Sequence, residues 1–194
     1  MTDNTTTRNN INTNAGNHSK TLSMTYMAIF AALIAICSWI SIPSSVPFTM
    51  QTFAIFLTCG LLGGKRSTIA VLVYLLLGAI GLPVFAGFSG GLGALFGMTG
   101  GYLIGFVFIG LIAWLFEKLF GKKAPALIAA LVVGLIVCYA FGTAWFMFMY
   151  TKNVGSIGLT GVLGMCVFPF IIPDLIKMAL ALILTNRLKK FIKL

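Results

Sequence analysis

In a chain of 194 residues with only 3 acidic side chains, Asp174 and Lys177 stand out because both fall inside one apolar run, residues 171–188. At a spacing of three on a helix they share a face, with Cβ atoms roughly 5–6 Å apart. That is close enough to pair with each other or to hold one polar ligand together. An isolated charge at the centre of a bilayer costs on the order of 3 kcal/mol, so such residues rarely persist in a membrane segment without a use. A mutual salt bridge that merely neutralises two buried charges is the plainer account. Because such a bridge is often no more stabilising than apolar residues of the same size, the ligand-holding account leads.

Other chemistries fall away. The single histidine, His18, lies in a polar segment near the start of the chain, which excludes histidine-based metal or nucleophile chemistry inside the membrane. Cys37, Cys59, Cys138 and Cys166 all lie in apolar stretches with no CxxC pair, the setting of small packing residues. After Gly91-Leu92-Gly93 a dinucleotide fingerprint needs glycine at position 96, where Phe96 stands. Gly64-Lys65 resembles the end of a phosphate-binding loop, but Arg66 replaces its Ser or Thr and Cys59 its first glycine. No enzyme activity, cofactor or metal is expected, and ATP-driven work would need another subunit.

The elements that position the pair are membrane helices. Hydrophobic residues make up 59% of the chain and charged ones 8%, with mean hydropathy +1.05, far too little polar surface for a soluble domain. The net charge of +10 does not point to nucleic acid, because the basic residues fall between apolar segments and not as one soluble patch. Residues 1–20 are rich in Asn and Thr and predict a disordered polar tail. Residues 21–194 form the membrane domain. The apolar runs predict helices over 24–42, 48–62, 67–80, 99–116, 124–148 and 171–188.

Between the third and fourth helices, residues 81–97 are too rich in Gly for a regular helix yet almost uncharged, which fits a loop folded back at membrane depth. Residues 150–168 read as a loop with a short interfacial piece. The fold class is therefore an all-α integral membrane protein of six transmembrane helices with a Gly-rich outer loop. With both termini cytoplasmic, the inner face carries Arg8, Lys20, Lys65, Arg66, Lys118, Lys122, Lys123, Arg187, Lys189, Lys190 and Lys193, eleven of 13 basic residues. The pair at 174 and 177 then lies toward the outer leaflet, within reach of a solute from outside.

Ala28, Ala31, Ala32 and Ala35 give two interleaved spacings of four along the first helix, a smooth face that lets another helix approach closely. Spacing alone leaves open whether that helix belongs to this chain or to a partner. Phe85, Phe88 and Tyr102 gain interest from lying in or beside the glycine-rich loop.

Four blocks are familiar: VPFTMQTFAIFL from Val46, LLGGKRS from Leu61, YLLLGAIGLPVFAGFSGGLGALFGMTGGYLIGF from Tyr74 and PFIIPDLIK from Pro169. Together they resemble the BioY family, the biotin-specific substrate-binding subunits of energy-coupling factor (ECF) transporters. The resemblance implies a six-helix bundle in the plasma membrane that holds one biotin near the outer face, under the loop between helices 3 and 4. It implies as partners a transmembrane coupling protein and two cytoplasmic ATPases, with the alanine face as the docking surface. Asp174 and Lys177 match the acid and lysine of the family's last helix and would serve the ureido ring, with Phe85, Phe88 and Leu92 as apolar walls for the rest of the vitamin. Gln51 and Tyr102 match further positions. Ser89 stands where some relatives carry an Asn against the ureido ring, and Ile172-Pro173-Asp174 lacks the glycine that often follows the proline.

Overall fold

The structure, a computed structural model, describes residues 3–44 and 46–191, with side chains described from Lys20 onward. The side chains of the polar tail expected over residues 1–20, His18 among them, otherwise lie outside the described residues. The chain begins with α1 (Asp3–Trp39). Pro43 and Pro47 stop a helix there, and a two-residue hairpin follows, β1 (Ser41–Ile42) against β2 (Phe48–Thr49), with Ser41 opposite Thr49. α2 (Gln51–Leu62) and α3 (Gly64–Ala79) are separated only by Gly63 at φ +80°. A short 3₁₀ turn (Ala86–Phe88) and α4 (Leu92–Leu95) interrupt the glycine-rich loop. Then come α5 (Gly100–Phe120), α6 (Ala124–Asn153), α7 (Leu159–Cys166) and α8 (Phe168–Leu188).

The helices expected at 48–62, 99–116 and 124–148 shift by a few residues for identifiable reasons. Phe48 and Thr49 belong to β2, so α2 starts at Gln51. Glu117 and Lys118 do not end α5, which runs on to Gly121 at φ +75°. α6 continues to Asn153, whose side chain donates back to the Met149 carbonyl at 2.7 Å. Of the loop expected over 150–168, the first residues continue α6 and residues 159–166 form the short helix α7.

Among the described residues, four segments are long and apolar enough to cross a bilayer: Lys20–Trp39, Gly100–Phe120, Ala124–Asn153 and the α7–α8 stretch Leu159–Leu188. At 12 residues α2 is too short to cross on its own. It lies at the centre, packed on α1, α3, α5 and α8, with eleven of its twelve residues buried. A helix sheathed by protein does not have to match the thickness of the lipid.

Close helix approaches are made at glycines. At Gly64 a Cβ would lie 2.1 Å from the Trp114 backbone nitrogen, and at Gly105 2.8 Å from Cys138 Sγ. The first holds the start of α3 against α5 and the second holds α5 against α6, the small-residue packing that membrane helices use in place of a hydrophobic driving force.

Gly64→Ala should therefore lower stability by about 1–3 kcal/mol through overpacking, read as a lower melting temperature of the purified chain in detergent. Gly93→Ala, where a Cβ meets nothing within 4 Å, should leave the melting temperature in place. Equal melting of both variants would show that the α3–α5 contact yields without cost.

Candidate functional site

A cavity of about 370 Å³ opens where the starts of α2, α5 and α8 converge under the glycine-rich loop, a size typical of small-molecule sites, which span roughly 300–1,000 Å³. Its walls are mostly apolar, with Phe106, Leu135 and Phe170 among them. The loop is laced to three helices. Ser38 Oγ donates to the Val84 carbonyl at 2.6 Å, and Trp39 Nε1 to that of Pro83 at 2.8 Å. The Gly91 N–H donates to the Gly78 carbonyl at 2.7 Å and Trp145 Nε1 to that of Gly97 at 3.0 Å. A loop that is short of side chains is thereby fixed through its backbone N–H and carbonyl groups, which otherwise lack partners in an apolar setting.

Asp174 and Lys177 both line this cavity and are 2% and 5% exposed. Lys177 Nζ lies 2.9 Å from Asp174 Oδ1. It also donates to the Thr49 carbonyl at 2.6 Å and to Thr52 Oγ1 at 3.2 Å, so its three N–H groups all have acceptors. Thr52 Oγ1 in turn donates to Asp174 Oδ1 at 2.8 Å, and Tyr139 donates its phenol proton to Oδ2 at 2.6 Å. The Phe48 ring, stacked on Phe170 at 5.9 Å, adds a cation–π contact with Nζ 4.1 Å from its centroid. Pro173 leaves the Pro169 carbonyl without its helical donor one turn before the pair.

Of the residues singled out from sequence, the structure brings Asp174, Lys177, Gln51, Phe85, Ser89 and Tyr102 to this one cavity. Gln51 donates from Nε2 to the Tyr74 hydroxyl. Tyr102 shares a hydrogen bond of 3.2 Å with Thr143. Phe85 fits into the niche left by Gly78 and meets Tyr74 edge-on at 5.5 Å. Ser89 turns its hydroxyl to the Ala86 carbonyl at 2.8 Å.

Phe88 and Leu92 are corrections, since they are 64% and 59% exposed and line no wall of the cavity. The left-handed turn at Gly87, φ +67°, throws Phe88 outward onto Trp39, with ring centroids 5.1 Å apart. Leu92 opens α4 on its outward side.

The alanine face also divides. Ala31 and Ala35 are buried within the chain, 2% and 6% exposed, because a four-residue spacing displaced by one position falls on the core side with Ile34. Ala28 and Ala32 remain on the exposed side of α1.

Sequence reasoning missed Thr49, Thr52, Phe48 and Tyr139. The first three sit in the quoted VPFTMQTFAIFL block, and Thr49 and Thr52 repeat the i, i+3 spacing of the charged pair. Tyr139 had no such signal, lying in a helix that is apolar on every side.

The four spanning segments, together with a mostly apolar cavity enclosing one hydrogen-bonded ion pair, define an all-α, multi-pass membrane protein built to hold a small solute. The BioY family model matches residues 7–194. The chain is 45% identical to the biotin transporter BioY of Thermotoga maritima over 168 residues, 84% of this chain and 92% of that protein. It is 36% identical to the probable biotin transporter BioY of Pyrococcus horikoshii over 171 residues, 88% and 98% of the two. A solved structure described as the S-component for biotin from an ECF-type ABC transporter superposes with a TM-score of 0.77 at 34% identity, covering 90% of this chain and 94% of that one. The chain therefore belongs to the BioY family, a family of transporters and not of enzymes.

Breaking the pair one-sidedly should destabilise the fold. Asp174→Asn or Lys177→Met leaves a partner buried without its counterion, a loss of about 3–5 kcal/mol to be read from thermal unfolding in detergent. Asp174→Leu combined with Lys177→Met should recover part of that loss, less what the orphaned hydroxyls of Thr52 and Tyr139 cost. Single variants as stable as the parent would mean that water already compensates the pair.

Proposed function

We propose that this chain is a biotin-binding membrane subunit of an ECF-type importer and that the 370 Å³ cavity is its biotin site. The single observation that carries the reading is one buried ion pair set in a mostly apolar chamber. Biotin is apolar along its thiophane ring and valeryl chain and polar at its ureido ring, which offers two N–H donors and a carbonyl acceptor. On Asp174, Oδ1 takes two hydrogen bonds and Oδ2 one. A carboxylate oxygen accepts about two, so the open position is on Oδ2. A ureido N–H fits there, and the ureido carbonyl takes over one of the acceptor positions now held around Lys177. Gln51, Ser89 and Tyr102 supply further polar contacts, and Phe85 the apolar wall.

In this reading the chain crosses the plasma membrane six times, α2 and α3 making the second and third crossings inside the bundle, with the glycine-rich loop outside and both termini cytoplasmic. The bias of basic residues supports that orientation. The partners are a transmembrane coupling protein and two cytoplasmic ATPases. Ala28 and Ala32 form the docking strip, while Ala31 and Ala35 serve packing.

Equilibrium binding of labelled biotin to the purified chain tests the site. Saturable binding is expected, weakened roughly 10- to 100-fold in Asp174→Asn, as for loss of a hydrogen bond to a charged group. Non-saturable binding, or an unchanged affinity in this variant, would remove Asp174 from the site. Docking is tested separately by co-purification with the coupling complex. Ala28→Leu with Ala32→Leu should abolish co-purification and leave biotin binding intact, whereas Ala31→Leu should instead lower the melting temperature.

A further inference from the structure

At the opposite end of the bundle from the solute cavity lies a second one, of about 270 Å³, formed where α2 gives way to α3, α5 to α6, and α8 ends. It is lined by four cationic side chains from three separate parts of the chain, Arg66, Lys122, Lys123 and Lys189, against one carboxylate, Glu117. Glu117 is already engaged. It pairs with Lys122 at 3.3 Å and accepts the Gly64 N–H at 2.8 Å, at the start of α3. Among the described residues, the side chains of Arg66, Lys123 and Lys189 make no hydrogen bond or ion pair. The 30-residue α6 also begins at this cavity, with no side chain capping its first N–H groups.

An adjoining groove shares Arg66, Glu117 and Lys122 with the cavity and adds Lys65 and Lys118 at its rim. Its wall continues onto Met27, Ile69 and Trp114, side chains of spanning or near-spanning helices. Unpaired cations therefore stand directly beside an apolar surface that runs along the bundle. That combination has the chemistry of a phospholipid whose headgroup is anionic, with the phosphate among the cations and an acyl chain along the groove. A free phosphate would use the first feature and leave the second without a role.

We infer that this end of the bundle is a binding site for an anionic phospholipid, with Arg66, Lys123 and Lys189 as its phosphate ligands. The site shares no residue with the solute cavity.

The test exposes the full purified chain in detergent to equal amounts of dioleoylphosphatidylglycerol and dioleoylphosphatidylcholine and counts retained lipid by native mass spectrometry. Phosphatidylglycerol should be retained in preference. Arg66→Gln and Lys189→Gln should each weaken that retention about fivefold, and together about 25-fold. Lys152→Gln, outside the cavity, should change nothing, and biotin binding by the Arg66 and Lys189 variants should match the parent and show them folded. Equal retention of the two lipids, or undiminished phosphatidylglycerol on the double variant, would overturn the inference. Displacement of the lipid by equimolar inorganic phosphate would reassign the cavity to a free anion. Preferential uptake of a poly-glutamate peptide would reassign it to an acidic protein partner.

Discussion

Much of this molecule follows from the need to keep one carboxylate and one ammonium charged where there is little water. Removing such ions from water costs several kcal/mol each even after relaxation, and mutual attraction offsets this only when the remaining hydrogen-bonding capacity is also met. Here it is met from three directions. α8 brings the pair, the β2–α2 junction brings the Thr49 carbonyl and the Thr52 hydroxyl, and α6 brings the Tyr139 phenol. No two of these elements are neighbours in sequence, so the network can close only when the bundle is assembled. The ion pair thus acts less as a source of stability than as a condition on how the helices are arranged.

That condition explains the odd proportions of α2. Twelve residues are too few to cross a bilayer unaided, but α2 starts where the pair needs its Thr residues and ends where α3 must turn back at Gly63. Its neighbours provide the apolar sheath, so its length answers to the site and not to the lipid. The glycine-rich loop answers to the same need from above. Its backbone donates and accepts through tryptophan, serine and glycine partners on α1, α3 and α6, and Phe85 is the side chain it drives deepest into the bundle.

How much of this was legible in the sequence depended on whether a residue contrasted with its surroundings. Asp174 and Lys177 are charges in an apolar run, and their joint placement on a cavity wall follows from a three-residue spacing. The helical membrane class was equally open, because it rests on composition summed over the whole chain. Tyr139 was hidden, since an aromatic residue in a helix apolar on every side carries no periodic signal, and its role exists only through Asp174 on another helix. Phe88 and Leu92 were misplaced because direction within a loop is set by single dihedral angles, here the left-handed Gly87. The alanines show a finer limit: two interleaved spacings of four look like one face until packing fixes the rotation of α1, and then one pair turns in and the other out.

In the proposed site, the saturated state of Lys177 bears on selectivity. All three of its N–H groups already have acceptors, so a solute cannot simply add to the ammonium. It must replace an existing acceptor with one at least as good, while Asp174 has room for a further donor only at Oδ2. A ligand with a donor alone would leave the lysine network untouched and gain one hydrogen bond. A ligand with an acceptor alone would disturb the network and gain none at the carboxylate. Only a solute that presents donor and acceptor side by side, rigidly and within a few ångströms, benefits at both groups without ordering a flexible chain to do so. A cyclic urea has that arrangement built into its ring. On this argument the pre-formed network discriminates mainly by what it costs the wrong solutes to break it.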